Sequence, residues 1–414
     1  MVQERLYSVP SRERKRNLCS VCRGYRKLCG KSVCPVLERA RALLSLNMGE
    51  SISGASPPAI FVGSFGYPKV TAGPLIPPVT ENTEIMDTPE LWVNRSLQDI
   101  IGYRTSLFRG KRTIGVNLAR NPDRSVSQIQ ELAMASKPTD VEALFEKKPN
   151  LATPFSVRAP PFGPSAPLKR FTLAENPKVE RRVNKVVYDT DMRAEESIMD
   201  LYSSKIPQSS ITKILSAGLL GTKKRRRFVP TEWSITATDD IIAKNLRREV
   251  LRYPWVDNFM LFDYGALANS VHILLFPSAW VFEAQEVWMV SNNPYIGADY
   301  ELSMGRKRYA SDLAGAYYAA RLPVLEYLNS VRRQAGAFVI LEVYPDWIPL
   351  GVWRFRELCR EAFKKKAMTF GTMEETLSAL AGNVSLPLNR YTGRSAVLRN
   401  FSSQKKLTDF QFGF

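Results

Sequence analysis

With 414 residues the chain is long enough for two or three ordinary domains and for a core that needs no disulfide staples. Its 44% apolar and 24% charged residues exclude wholesale disorder. The charge is the outlier: 58 Lys and Arg against 40 Asp and Glu leave +18, which points to a polyanionic partner, nucleic acid ahead of a membrane surface.

The N-terminus, MVQERLYSVPSRERKR, is charged where a signal peptide needs an apolar stretch, so export is not expected. The most apolar window, 271–290, is interrupted by Pro277, Glu283 and Glu286, so no membrane span is expected either. Cys19, Cys22, Cys29 and Cys34 then fall within sixteen positions, spaced C-x2-C-x6-C-x4-C. Four thiolates on a short backbone suit tetrahedral zinc, with the C-x2-C pair forming a knuckle. An iron–sulfur cluster is the rival, since Pro35 follows the last cysteine. With no open coordination position, such a zinc would fold the segment and perform no chemistry. Arg14, Arg16, Arg23, Arg26 and Lys27 surround the cysteines, so this basic module, residues 1–50, is a candidate for phosphate contacts.

Beyond a helical stretch at Leu37–Leu46, Ala59–Val62 reads as a strand entering a turn punctuated by Gly63, Gly66 and Gly73. Its pattern is neither G-x-G-x-x-G nor a P-loop, and it is read as structural. Asp87, Thr88 and Pro89 predict a helix start running through Leu91, Leu97 and Ile101. Five prolines between Pro154 and Pro167 mark a linker or long loop, so 149–168 is where a core spanning 51–400 would divide. Val183–Tyr188 and Ile235–Thr238 read as strands, Ile198–Tyr202 and Ile211–Leu220 as helices. His272–Phe276 and Phe338–Tyr344 read as buried strands, and Ala310–Arg333 as a long helix that Pro323 should kink. The mixture predicts an α/β or α+β core with a small four-cysteine zinc module before it and a flexible tail, 401–414, behind it.

Three groups of residues carry candidate chemistry. Lys223, Lys224, Arg225, Arg226 and Arg227 form an uninterrupted cationic run suited to nucleic acid, with Trp233, Tyr253 and Trp255 as candidate stacking faces. Among the carboxylates, Asp239 and Asp240 are expected after a strand at Ser234–Ala237, where phosphate would arrive. Asp189 and Asp191 are placed on a strand edge, and Glu283 and Glu286 are read as one helical turn apart. A single histidine excludes every site that needs two, and His272 is expected to be a satisfied core residue. If the chain is an enzyme, the first choices are Asp239, Asp240 and Glu286, either around magnesium or manganese in a nuclease or serving a nucleotide or ADP-ribosyl transferase that uses NAD. The last group is the tail QKKLTDFQFGF: Leu407 and Phe410 are three apart, so one 3₁₀ turn stacks them on one face.

Gln404, Leu407 and Phe410 resemble the motif that binds the PCNA sliding clamp, with Phe412 available for the second aromatic place that Gln411 occupies. Together with the four cysteines and the strings SPPAIFVGSFGYPKVTAGPL, FVPTEWSITATDD, AYYAARLPVLEYL and PLGVW, the whole chain resembles the archaeal Nre family of DNA-repair proteins. The resemblance implies a cytoplasmic, nucleoid-associated repair factor recruited to the clamp, and supplies no agreed reaction. A DNA-binding accessory factor and a clamp-recruited DNA-processing enzyme therefore both stay open.

Overall fold

A computed structural model describes residue 34 and residues 37–38, 49–150, 163–289 and 294–403. These residues form two compact units, one built from residues of 12–242 and 348–351, the other from residues of 243–347 and 352–414.

In chain order, the first unit begins with strands β1 (Ser51–Ser56), β2 (Ile60–Val62) and β3 (Lys69–Ile76), helix α1 (Leu97–Ser106) and strand β4 (Phe108–Gly115). Helix α2 (Arg124–Met134) and strands β5 (Thr139–Phe145) and β6 (Ser165–Leu173) follow. Helices α3 (Arg181–Tyr188), α4 (Ala194–Ser203) and α5 (Gln208–Ser216) come next, and α6 (Thr231–Val250) crosses the boundary at 242. The strands make one sheet in the order β1-β5-β6-β4-β3-β2, antiparallel except for β4 beside β6. Helix α2 is amphipathic, with Val126, Ile129, Leu132 and Ala133 wholly buried at helical spacing, and it packs on β2, β3 and β6.

The second unit consists of β7 (Phe259–Ala266), β8 (Asn269–Phe276), β9 (Val281–Trp288), β10 (Tyr295–Glu301), α7 (Gly315–Val331), β11 (Gly336–Val343), α8 (Trp353–Lys364), β12 (Met368–Phe370), α9 (Met373–Asn383), α10 (Asn389–Thr392) and α11 (Ala396–Ser403). Its sheet runs β10-β9-β11-β8-β7-β12, with β11 parallel to β9 and antiparallel to β8. Both faces are covered, so β8 and β11 are buried at every position, with apolar runs at Ile273–Phe276 and Gly336–Leu341 and the buried polar residues Asn269, Ser270, His272 and Glu342 at the other end. On one face Phe262 packs edge-on against Tyr327 of α7 and Phe363 of α8, and Phe282 against Tyr317. On the other, Leu261, Leu274, Phe338 and Ile340 meet Leu380, Tyr391, Val397 and Leu398.

The mixed fold, the β8 and β11 strands and the helices at α4, α5 and α7 agree with the sequence reading, and α7 runs through Pro323. Several local expectations are corrected. Val183–Tyr188 lies in helix α3, because Val183, Val186 and Val187 recur at helical spacing and are the buried residues. Ile235–Thr238 lies inside helix α6, where the Ser234 and Thr236 hydroxyls bond back to the carbonyls of Pro230 and Glu232 at 3.1 and 3.3 Å. The Asp87–Pro89 segment forms two short 3₁₀ turns, because Asp87 is drawn into ion pairs with Arg104 and Lys213. The helix begins at Leu97 under a Ser96/Asp99 capping box. The proline-rich stretch comes between β5 and β6 in the chain, and those two strands pair with each other.

Candidate nucleic-acid interface

The turn between β2 and β3 is held by its own backbone. Gly63 N–H donates to Thr71 O (2.8 Å), Tyr67 N–H to Ser64 O (3.3 Å) and Lys69 N–H to Gly66 O (3.0 Å). Gly66 has φ +83°, and a Cβ there would lie 2.9 Å from Lys69 O, so the turn requires glycine at this point. At its tip Phe65 is 96% exposed, and Tyr67, 37% exposed, packs against Trp233 of α6 with ring centroids 5.2 Å apart. Val62 N–H bonds the Thr231 hydroxyl at 2.9 Å, which fixes β2 to the start of that helix.

Strand β4, FRGKRTIG, alternates: Phe108 and Gly110 are buried, while Arg109, Lys111 and Thr113 point to the opposite side. The Arg109 guanidinium lies 3.8 Å over the Phe61 ring, a cation–π contact on the face where Thr113 opposes Thr71. Burial, then the neighbouring Arg104 charge, lowers Arg109 to about 10, and burial, then Arg109, lowers Lys111. Arg109 still carries its proton at neutral pH.

The run at 223–227 divides by role. Arg226 is a brace, donating to Gly221 O (2.8 Å), Val187 O (2.7 Å) and Asp189 O (3.0 Å), and its pKa is lowered by burial against the opposing charge of Asp189. Lys223, Lys224, Arg225 and Arg227 are exposed. Backbone bonds link this run to the aromatic turn: Phe228 N–H donates to Val116 O at 2.9 Å, and Val116 N–H donates to Pro68 O at 3.0 Å. Exposed cations and exposed aromatics are thereby fixed on one framework, suited to phosphates and base faces respectively. Phe65, Arg109 and Lys111 escaped the sequence reading, although the period-two alternation of β4 and the small residues flanking Phe65 were visible in it.

The candidate catalytic carboxylates fall in different units. Asp239 and Asp240 lie in α6 within the first unit, and Glu286 lies on β9 in the second. Asp239 is fully buried and accepts a hydrogen bond from the Gln208 amide of α5. Asp189 follows the end of α3 and accepts from the backbone of Asp191 and Met192, so neither Asp189 nor Asp191 stands on a strand. Glu283 and Glu286 sit on opposite faces of β9, since side chains alternate along a strand. Glu283 is enclosed by Ser395 Oγ (2.8 Å) and Val397 N (2.9 Å). Glu286 faces Arg354 at 3.5 Å, and burial pushes it up to about 7 against the pull of Arg354 and Trp288, with the Asp312 charge adding to the rise.

A second polar group resembles a nucleophile triad in outline: Ser270 Oγ is 3.0 Å from His272 Nε2, and His272 Nδ1 bonds Asp263. Electrostatics removes the resemblance. Burial alone would lower His272, but Asp263 and Glu342, the latter 3.8 Å from Nε2, outweigh it and raise the ring to about 9. An imidazolium cannot accept the proton of Ser270, so the cluster is a satisfied core histidine, as the sequence suggested.

Cys19, Cys22 and Cys29, the cations Arg14, Arg16, Arg23, Arg26 and Lys27, and the tail residues Gln404, Leu407, Phe410 and Phe412 lie outside the described residues. Cys34 is described, half-buried and free of a disulfide. Among the described residues no cluster of three or more His, Cys, Asp or Glu suited to a metal is found, and no helix is long and apolar enough to cross a membrane.

No solved structure is similar to this chain. Its sequence matches the archaeal Nre N-terminal family over residues 28–293 and the archaeal Nre C-terminal family over 301–410. It is 37% identical over 399 residues to a protein named DNA repair protein NreB from Archaeoglobus fulgidus, covering 95% of this chain and 99% of that one. It is 40% identical over 372 residues to DNA repair protein NreA of the same organism, covering 88% and 93% of the two chains. Against DNA repair protein NreA from Haloferax volcanii it is 39% identical over 346 residues, covering 78% and 81%. With both family regions matched and relatives of this similarity covered almost end to end, the chain belongs to the archaeal Nre family.

Proposed function

We propose that this chain is an archaeal DNA-repair factor that holds DNA on the cationic, aromatic surface of its first unit and is brought to the PCNA sliding clamp by its C-terminal segment. The observation that carries the reading is the union of the exposed cations Lys223, Lys224, Arg225 and Arg227 with the aromatic turn at 63–68 through the Phe228–Val116–Pro68 bonds. The names of the similar proteins support the repair role, and the pattern of Gln404, Leu407, Phe410 and Phe412 supports the clamp. The donor set Cys19, Cys22, Cys29 and Cys34 suits one structural zinc, which would fold the basic N-terminal module and leave it free to contact phosphates.

The test is affinity of the full chain for labelled DNA measured against salt. Replacing Lys223, Lys224, Arg225 and Arg227 with Ala should flatten the logarithmic salt dependence by about 0.9 per lost phosphate contact on duplex and about 0.7 on single strands. An unchanged slope and affinity would reject the surface. Removing 404–414 should abolish clamp binding while DNA affinity stays constant, and clamp binding that persists would reject the tail assignment. A second reading, a clamp-recruited DNA-processing enzyme, is favoured by Glu286, whose pKa near 7 suits proton transfer at neutral pH. Product formed from DNA with magnesium, manganese or NAD, and lost in Glu286→Gln, would support it.

A further inference from the structure

We infer that the turn Gly63–Pro68 is a base-stacking element, and that the DNA this surface takes is unpaired, either single-stranded or splayed at a fork, in preference to continuous duplex. The inference rests on the DNA-binding reading above and adds the class of strand and the residue that selects it.

Phe65 is the anchor of the argument. Phe108, Phe145 and Phe228 of the same unit are completely buried, whereas Phe65 is 96% exposed on a turn that three backbone hydrogen bonds and a left-handed glycine hold in place. Its exposure therefore belongs to a defined conformation. Leaving a phenylalanine in water forgoes the free energy of its burial, which a stacked base would return. The residues beside it are Ser64 and Gly66, so little side-chain bulk blocks approach to the ring. Tyr67 and Trp233 offer a second aromatic surface two residues away.

The flanking charge identifies the occupant. Lys69 is exposed at the foot of the turn, and the half-buried Arg109 and Lys111 share the face of β4 that carries exposed Thr113. This is a positive surface with aromatics set into it, complementary to a sugar-phosphate backbone that carries exposed base faces. Reading a closed duplex calls for side-chain donors and acceptors aimed at base edges in a groove. The turn supplies only the hydroxyls of Ser64 and Tyr67 for that purpose, while it supplies aromatic faces at Phe65 and Tyr67. Stacking on such faces requires bases that have left their own stack, and it tolerates any sequence because every base has a face.

The experiment measures fluorescence anisotropy of the full chain with a labelled DNA strand of about twenty nucleotides, its duplex and a forked duplex, lengths chosen to exceed one binding site. An RNA strand of the same sequence is included. The strand and fork should bind more tightly than the duplex, and Phe65→Ala should weaken strand binding about tenfold, the range for loss of one stacked base. Phe65→Tyr should retain it, and the melting temperature of both variants should equal that of the parent, because the side chain packs against nothing. A 2-aminopurine in the strand should change its fluorescence on binding the parent and not on binding Phe65→Ala. Wild-type chain that binds no DNA would overturn the DNA-binding reading and this inference with it. Binding that is indifferent to Phe65→Ala, tightest on duplex, or reduced equally on duplex and strand would overturn the inference alone. Tighter binding of the RNA would overturn the assignment to DNA.

Discussion

His272 on β8 is held as an imidazolium between carboxylates on the two flanking strands, and its charge makes folding stability depend on pH. Its cross-strand neighbour on β7 is Asp263, while Glu342 on β11 stands opposite Ser270. Buried Glu342 would be raised, but the His272 ring 3.8 Å away and hydrogen bonds from Tyr391 (2.5 Å) and Ser385 Oγ (2.7 Å) hold it at about 2. A histidine whose folded pKa of about 9 exceeds its ordinary 6.5 adds stability that is complete below 6.5 and lost as pH rises to 9. A glutamate held at about 2 against 4.5 adds stability that is present above 4.5 and lost as pH falls toward 2. The joint contribution of these two groups should therefore be largest between about pH 4.5 and 6.5 and decline on both sides, read as the difference in melting temperature between the parent and a His272→Gln/Glu342→Gln double variant. His272→Gln should remove the alkaline decline and destabilise by about 3 kcal/mol at pH 6, because two carboxylates lose their cation. An alkaline limb unchanged in that variant would place the titration elsewhere.

At the scale of elements, spacing carried more information than residue type. Val183–Tyr188 was read as a strand, yet Val183, Val186 and Val187 recur at i, i+3 and i+4, the helical period. Helix α6 was obscured by Ser, Ile and Thr in a row, whose preference for strands yields once Ser234, Thr238 and Asp239 are buried along one helical stripe. Strands β8 and β11 were legible because each carries an unbroken apolar run, Ile273–Phe276 and Ala337–Leu341, of the kind a strand covered on both faces shows. Glu283 was not legible as a structural residue, since its partners Ser395 and Val397 lie more than a hundred positions away. Asp239 shows the same limit: chosen as a catalyst from its neighbours in sequence, it joins α6 to α5 through Gln208. Asp239→Ala should cost about 1–3 kcal/mol in a denaturant melt by leaving the buried Gln208 amide short of an acceptor, with DNA affinity unchanged. Wild-type stability together with lost DNA affinity would return Asp239 to the site.

At the scale of the molecule, the excess of cations is legible before any fold is known, because net charge survives in the composition, and it is one ground of the proposed polyanionic partner. The division into two units did not announce itself. It falls inside α6, where no proline or glycine interrupts the helix, whereas the proline-rich stretch that looked like a boundary joins two paired strands. The placement of β6 has a practical consequence. It lies between β5 and β4, bonded to both, and Asn150 and Ser165 bridge at its start. A chain made as two separate polypeptides, severed between Asn150 and Gly163, would still present every hydrogen-bonding edge the sheet uses. The pieces should reassemble on mixing, as a split reporter does, giving a route to label either half on its own.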